Sequence, residues 1–165
     1  MKRNNEYDFY LEVQKLWNIE KMLVPAMTDM VEKANNEGLK NILAFHLAET
    51  WQHKTALEGI LKQFNFIPEE NPDNDLQNIL MDGYKALANT SVDKTDDLVI
   101  ENAKRIEEYE MRAYASAGQL AKELSYEGIA QRLFLTQAEE IQANYKLNFL
   151  KDRVIHNELV IQKIY

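Results

Sequence analysis

Carboxylates stand in this chain where apolar residues would be expected. Glu20 continues the series Val13, Leu16, Leu23 and Met27, and Glu110 continues Val99, Ala103, Ile106, Ala113 and Ala117, with Glu107 one turn before it. On a further stretch Leu39, Ile42, His46, Glu49, His53, Ala56 and Ile60 form one stripe, so that a carboxylate is flanked one turn away on each side by an imidazole. The last stretch offers Glu139 and Glu140 in succession: Glu140 fits the run Ile129, Leu133, Thr136, Ala143 and Leu147, whereas an internal repeat favours Glu139, and the repeat is given the greater weight. Burying an unpaired carboxylate is costly, and crowding several raises their pKa values unless cations neutralise them. A pair of metal ions held between helices meets that need, because the carboxylates satisfy the metals and the metals keep the carboxylates ionised. The competing readings are a polar core neutralised by Lys, Arg or His, and glutamates that simply face solvent.

Bringing such residues together takes long helices. Gly is 5 and Pro is 3 in 165 residues, so breaks are few. Three-and-four apolar spacing predicts helices over about 6–34, 38–64, 74–89, 96–123 and 126–156 in one domain spanning the chain. Pro25 falls inside the first and is expected to bend it or mark an irregularity. Thr95 and Ser125 are candidate N-caps, with Asp96 and Asp97 favourable at the positive end of their helix. The short link Asn35-Asn36-Glu37-Gly38 makes the first two long helices antiparallel, and the short helix after Pro68 reads as a crossover that returns the chain along the bundle. The tail from Leu159 to Tyr165 either prolongs the last helix or covers an end of the bundle, and His156 reads as an ordinary terminal residue.

At an offset of 90 residues the two halves align: Glu37-Gly38-Leu39 meets Glu127-Gly128-Ile129, Leu43 meets Leu133, Ala48-Glu49 meets Ala138-Glu139, Gln52 meets Gln142 and Glu20 meets Glu110. Two similar hairpins would form a pseudo-twofold bundle.

Composition narrows the function. With 27 acidic and 19 basic residues the formal charge is -8, which argues against nucleic acid or an anionic membrane as partner. Cys is absent, so no thiolate chemistry or disulfide is available, in keeping with a reducing, cytoplasmic setting. No apolar run reaches membrane-spanning length. Dinucleotide-binding glycine patterns, a P-loop, a nucleophile elbow and His-Glu-x-x-His are all missing. Trp17, Trp51 and the methionines read as packing, one of the tyrosines among Tyr7, Tyr10, Tyr109, Tyr114 and Tyr126 as a hydrogen-bond partner of the site, and Lys15, Arg105, Arg112 and Arg132 as surface partners of acids. Arg105 or Arg112 is a candidate counter-charge for a metal-free core.

The segments Leu16-Trp17-Asn18-Ile19-Glu20-Lys21-Met22-Leu23, His46-Leu47-Ala48-Glu49-Thr50, Arg105 to Tyr114 and Ala138-Glu139-Glu140 together resemble a bacterial ferritin-like family of small general-stress proteins, over about residues 7 to 155. The resemblance implies an all-α, ferritin-like four-helix bundle of two antiparallel hairpins with a short crossover helix, association as a homodimer, and a carboxylate-rich centre like the di-iron site of rubrerythrins. The wider superfamily supplies a Glu from each of two helices and Glu-x-x-His from each of the other two. Carried over, its ligands fall on Glu20, Glu49, Glu107, Glu110 and Glu139. Gln52 and Gln142 stand where that superfamily usually has histidine, and His53, His46 and Glu140 are the further candidates. Two functions follow. One is a stress-associated protein with a dinuclear iron site, or a manganese one, oxidising Fe(II) or handling peroxide with an external electron donor. The other is a non-catalytic structural or interaction dimer whose acidic core has lost its metals.

Overall fold

The computed structural model of the chain describes the backbone of residues 5–162 and the side chains of residues 6–153. It contains five α-helices, α1 (Asn5–Lys33), α2 (Glu37–Gln63), α3 (Asn74–Ala88), α4 (Thr95–Glu123) and α5 (Glu127–Gln162), with a single 3-10 turn at Val92–Lys94 and no strand among the described residues. The helices sit within a residue or two of their predicted bounds, except that α5 continues six residues further. The rest of the predicted tail, 163–165, and the side chain of His156 lie outside the described residues.

Helix α1 packs on α2, α4 on α5, α1 on α4 and α2 on α5, so the four longest helices enclose one core while α3 lies along α4. Their directions follow from what meets at each end. At one end Phe9 and Tyr126 touch Phe64, which joins the starts of α1 and α5 to the end of α2. At the other, the Asp96 carboxylate accepts the backbone N–H groups of Asn35 (2.7 Å) and Asn36 (3.0 Å), which ties the start of α4 to the α1–α2 link. Each hairpin is therefore antiparallel, and α3 carries the chain back between the two ends.

Local chemistry accounts for most boundaries. Asn36 and Asp73 cap α2 and α3, their side chains accepting the N–H of Leu39 (3.0 Å) and Leu76 (2.8 Å). Thr95 is the first residue of α4 rather than its cap. Ser125 does not cap α5 either. It adopts φ 62°, and the N–H of Tyr126 reaches back to the Ala121 carbonyl (2.9 Å) while that of Ser125 reaches Lys122 (3.0 Å), the left-handed ending of a helix. Asn65, at φ 54°, ends α2 the same way. Pro25 leaves α1 uninterrupted. It lies on the exposed face, where water can take the carbonyl that its missing N–H would have paired.

Gly83 lets α3 approach α4 closely, since a Cβ there would fall 2.1 Å from the buried side chain of Asn102. Asn18 fastens the link into α3, donating to the Glu69 carbonyl and accepting from the Asn71 N–H, both at 3.0 Å. Among the described residues no helix is long and apolar enough to cross a membrane.

Candidate metal centre

The exposure pattern of residues 41–59 recurs, position for position, at 131–149. The inward positions are Leu43, His46, Thr50, His53 and Leu57 on α2, and Leu133, Thr136, Glu140, Ala143 and Leu147 on α5. The repeat therefore holds, but its buried register is one residue later than the glutamates that suggested it. Glu49 and Glu139 occupy matching flank positions, with side chains 17% and 38% exposed. Gln52 and Gln142 occupy matching solvent-facing positions. Thr50 and Glu140, both 0% exposed, are the pair that faces inward. Adjacent helical residues point about 100° apart, so a shift of one decides between core and flank.

Glu20 from α1, His46 and His53 from α2, Glu107 and Glu110 from α4, and Glu140 from α5 converge in the middle of the bundle, all buried. Ligand atoms of His46, Glu107, Glu110 and Glu140 lie within 4.8 Å of one another, as do those of Glu20, His53 and Glu140. Glu140 belongs to both groups. Its Oε1 is 3.0 Å from His53 Nδ1 and its Oε2 is 3.4 Å from His46 Nε2. His46 Nε2 also lies 3.2 Å from Glu107, and His53 Nδ1 lies 3.5 Å from Glu20.

The outer nitrogens of the imidazoles are held by the flanking carboxylates. His46 Nδ1 is 3.4 Å from Glu49, and His53 Nε2 is 2.8 Å from Glu139. A carboxylate on one ring nitrogen sets the tautomer and orients the other toward a metal. Glu49 and Glu139, expected as ligands, lie outside both groups and contact the outer imidazole nitrogens instead. Tyr114, on α4 one turn after Glu110, donates its buried hydroxyl to Glu20 and sets its ring 6.1 Å from His53. It is the tyrosine anticipated beside the site.

No lysine or arginine is buried among the described residues. Arg105 pairs with Asp82 at 3.3 Å on the surface and Arg112 is exposed, so neither offsets these carboxylates. Among the described residues, the cations at hand are the imidazoles. Burial by itself would lower the His46 imidazole, but Glu107, Glu49 and Glu140 outweigh it and raise it from 6.5 to about 9. His53 is likewise opposed by burial yet raised to about 10 by Glu140 and Glu20. Burial pushes Glu140 upward, but the two imidazoles prevail and hold it below the usual carboxylate range. Nothing does the same for Glu110. Burial, then Glu140, Glu20 and Glu107, all drive its carboxyl well above 4.5. Glu107 is driven well above 4.5 by burial and by Glu140, against the pull of His46.

Beyond these ion-pair contacts, no hydrogen bond is made by either oxygen of Glu107, Glu110 or Glu140, by Glu20 Oε2, by His46 Nε2 or by His53 Nδ1. Orphaned buried polar atoms are uncommon in folded proteins, and here they converge on one spot. The donor set, carboxylate oxygens with imidazole nitrogens, could hold a metal ion, whose charge would offset the buried carboxylates Glu20, Glu107, Glu110 and Glu140.

Signals for this register were present in the chain. Strict alternation of three and four from Leu43 through His46 reaches Thr50, His53 and Leu57, and the same rhythm from Leu133 reaches Glu140.

Related proteins share the architecture. Protein YciF of Escherichia coli (strain K12) is 26% identical over 140 residues, covering 81% of this chain and 82% of YciF. The solved structure of the E. coli stress protein YciF matches with a TM-score of 0.87 at 23% identity, over 94% of this chain and 99% of that one. YcfI from Rhodopseudomonas palustris matches with a TM-score of 0.83 at 24% identity, over 90% of this chain and 97% of that one. A family described as a domain of unknown function, DUF892, matches residues 4–160, which takes in all five helices up to Val160 and every residue of the buried cluster. The chain belongs to the DUF892 family.

Proposed function

We propose that this chain is a ferritin-like, stress-associated metal protein whose four long helices hold a carboxylate-bridged iron or manganese centre. Glu110 carries the reading: it is fully buried, both its oxygens lack partners, and every nearby influence opposes its ionisation. A metal ion removes all three costs at once. Glu107, Glu110, Glu140 and His46 would hold one ion, and Glu20, His53 and Glu140 a second. Iron supplies one-electron chemistry at such a centre. With iron held by these residues, such a centre would supply the electrons for reducing peroxide, whose conversion to two waters takes two electrons and two protons. Cys is 0, so the chain has no thiol electron store and repeated turnover draws on an external donor. The same absence of Cys suits a reducing cytoplasm.

The similarity to a stress protein supports the physiological setting, and the exposed apolar side chains Phe45 and Trp51 on α2 with Leu135, Ile141, Tyr145 and Phe149 on α5 support a homodimer. Light scattering coupled to size-exclusion chromatography tests the dimer, and a monomer at micromolar concentration rejects it.

A specific observation favours a second reading. His46 and His53 already stand between carboxylates at 2.8–3.5 Å, so protonated imidazoles can support a metal-free core in an interaction protein. Anaerobic reconstitution with Fe(II) or Mn(II), desalting and elemental analysis separate the two. Metal retained by the wild type and lost in Glu110→Ala supports the metal centre. A chain that retains none, and whose melting temperature does not respond to metal, supports the second reading.

A further inference from the structure

We propose that the two metal positions are unequal: a tight one at His46, Glu107, Glu110 and Glu140, and a weak, exchangeable one at Glu20 and His53, with Thr50 as the residue that weakens the second. The inference rests on the metal reading above and concerns how the centre is filled.

The argument comes from the internal repeat. In the second hairpin α4 contributes Glu107 and Glu110, and α5 contributes Glu140. Ninety residues earlier the matching positions are Trp17, Glu20 and Thr50. Only one of the three carboxylates recurs. Thr50 is buried, yet its hydroxyl is turned back to the His46 carbonyl of its own helix at 3.1 Å, so it offers no ligand to the centre. His46 and His53 both come from the first hairpin, but they serve different groups: His46 joins the carboxylates of the second hairpin, and His53 joins Glu20 and the shared Glu140.

Ligand charge follows from this distribution. The first group brings three carboxylates and one imidazole to a single ion. Once an ion is held there, the shared Glu140 is already engaged, and the second ion meets Glu20 as its only unshared carboxylate. Affinity for hard divalent ions depends on the number of charged oxygen ligands and the rigidity of the site. The weaker half also has fewer protein ligands, so its ion keeps positions open to water or peroxide. Tyr114 lies on that same half, with its hydroxyl on Glu20.

Anaerobic titration of the metal-free protein with manganese(II), with free ion counted by electron paramagnetic resonance, tests the proposal. The wild type should fill in two phases, the first ending near about one ion per chain and the second at least about tenfold weaker. Thr50→Glu, which installs on α2 the counterpart of Glu140, should tighten the second phase at least about tenfold while leaving the first in place. Two ions taken up in one phase of equal affinity overturn the inequality but not the metal centre. A Thr50→Glu chain that is folded by circular dichroism and has an unchanged second phase overturns the role of Thr50. No uptake by the wild type overturns the metal reading and this inference together. The wild-type titration decides the inequality even if Thr50→Glu fails to fold.

Discussion

The end of the bundle where α1 begins and the layer at its middle are built on opposite principles. At the end, Phe9 packs against Tyr10, Phe64 and Tyr126 with ring centroids 6.0, 6.2 and 5.6 Å away, in edge-on or tilted arrangements. Each contact there favours the folded chain, through area removed from water and aromatic geometry. One helix pitch or more inward, the core gives way to Glu20, Glu107, Glu110 and Glu140, whose burial opposes folding unless something neutralises them. The apolar core outside the middle layer stabilises the chain sufficiently for that layer to hold groups that would not stay buried by preference. Stabilising apolar contacts and buried charge are thus separated along the bundle axis.

Substitutions in the two regions should move stability in opposite directions. Phe9→Ala should have the largest effect, a loss of about 3–5 kcal/mol in urea denaturation, because it removes a fully buried ring and leaves a cavity. A loss below about 1 kcal/mol would mean that the aromatic end is not the stabilising region.

The next effect is that of pH on the metal-free protein. His46 and His53 are raised in the folded state to about 9 and about 10, from 6.5, so between these limits the folded chain binds more protons than the unfolded one. Their contribution is complete below pH 6.5 and is lost as pH rises through about 9 and 10. Glu107 and Glu110, raised above 4.5, act in the same direction. Bound metal should reverse the sign, because it requires the same groups deprotonated. Urea midpoints at several pH values between 6 and 9, with and without Mn(II), would show the two slopes. Parallel slopes would argue against metal at these residues.

Glu110→Met comes third. Replacing an orphaned buried carboxylate by an apolar side chain of similar length should stabilise the metal-free protein by about 1–4 kcal/mol and abolish the metal-dependent rise in melting temperature. Destabilisation would mean that the carboxylate has a partner even without metal. Ser125→Gly, at the turn beside the aromatic end, should have the smallest effect. It relieves a left-handed backbone conformation and should stabilise by about 0.5 kcal/mol or less, readable in the same denaturation curves.

Much of this was legible from residue types and spacing. The helices, their short links, the 90-residue repeat and the inward placement of Glu20, Glu110, His46 and His53 all follow from periodicity. Glu49 and Glu139 lie at the flank rather than in the buried register, because matching glutamates in a repeat recur whichever way they face. The repeat preserves their place on the flank as faithfully as it preserves the core. The ending at Ser125 was also hidden, since serine favours helix starts and only its positive φ identifies a helix end.

By itself the sequence determined that the chain makes long amphipathic helices, that its halves are related, and that glutamates stand on its apolar stripes. Those properties belong to local spacing and composition. Between registers that the sequence left open, the tertiary structure decided that Glu140 rather than Glu139 enters the core, that Thr50 takes the equivalent place on α2, and that Tyr114 is the tyrosine on Glu20. Each of these depends on the rotation of one helix against its neighbours, set by packing along its whole length, and a stretch of sequence read alone leaves that rotation free by about one residue.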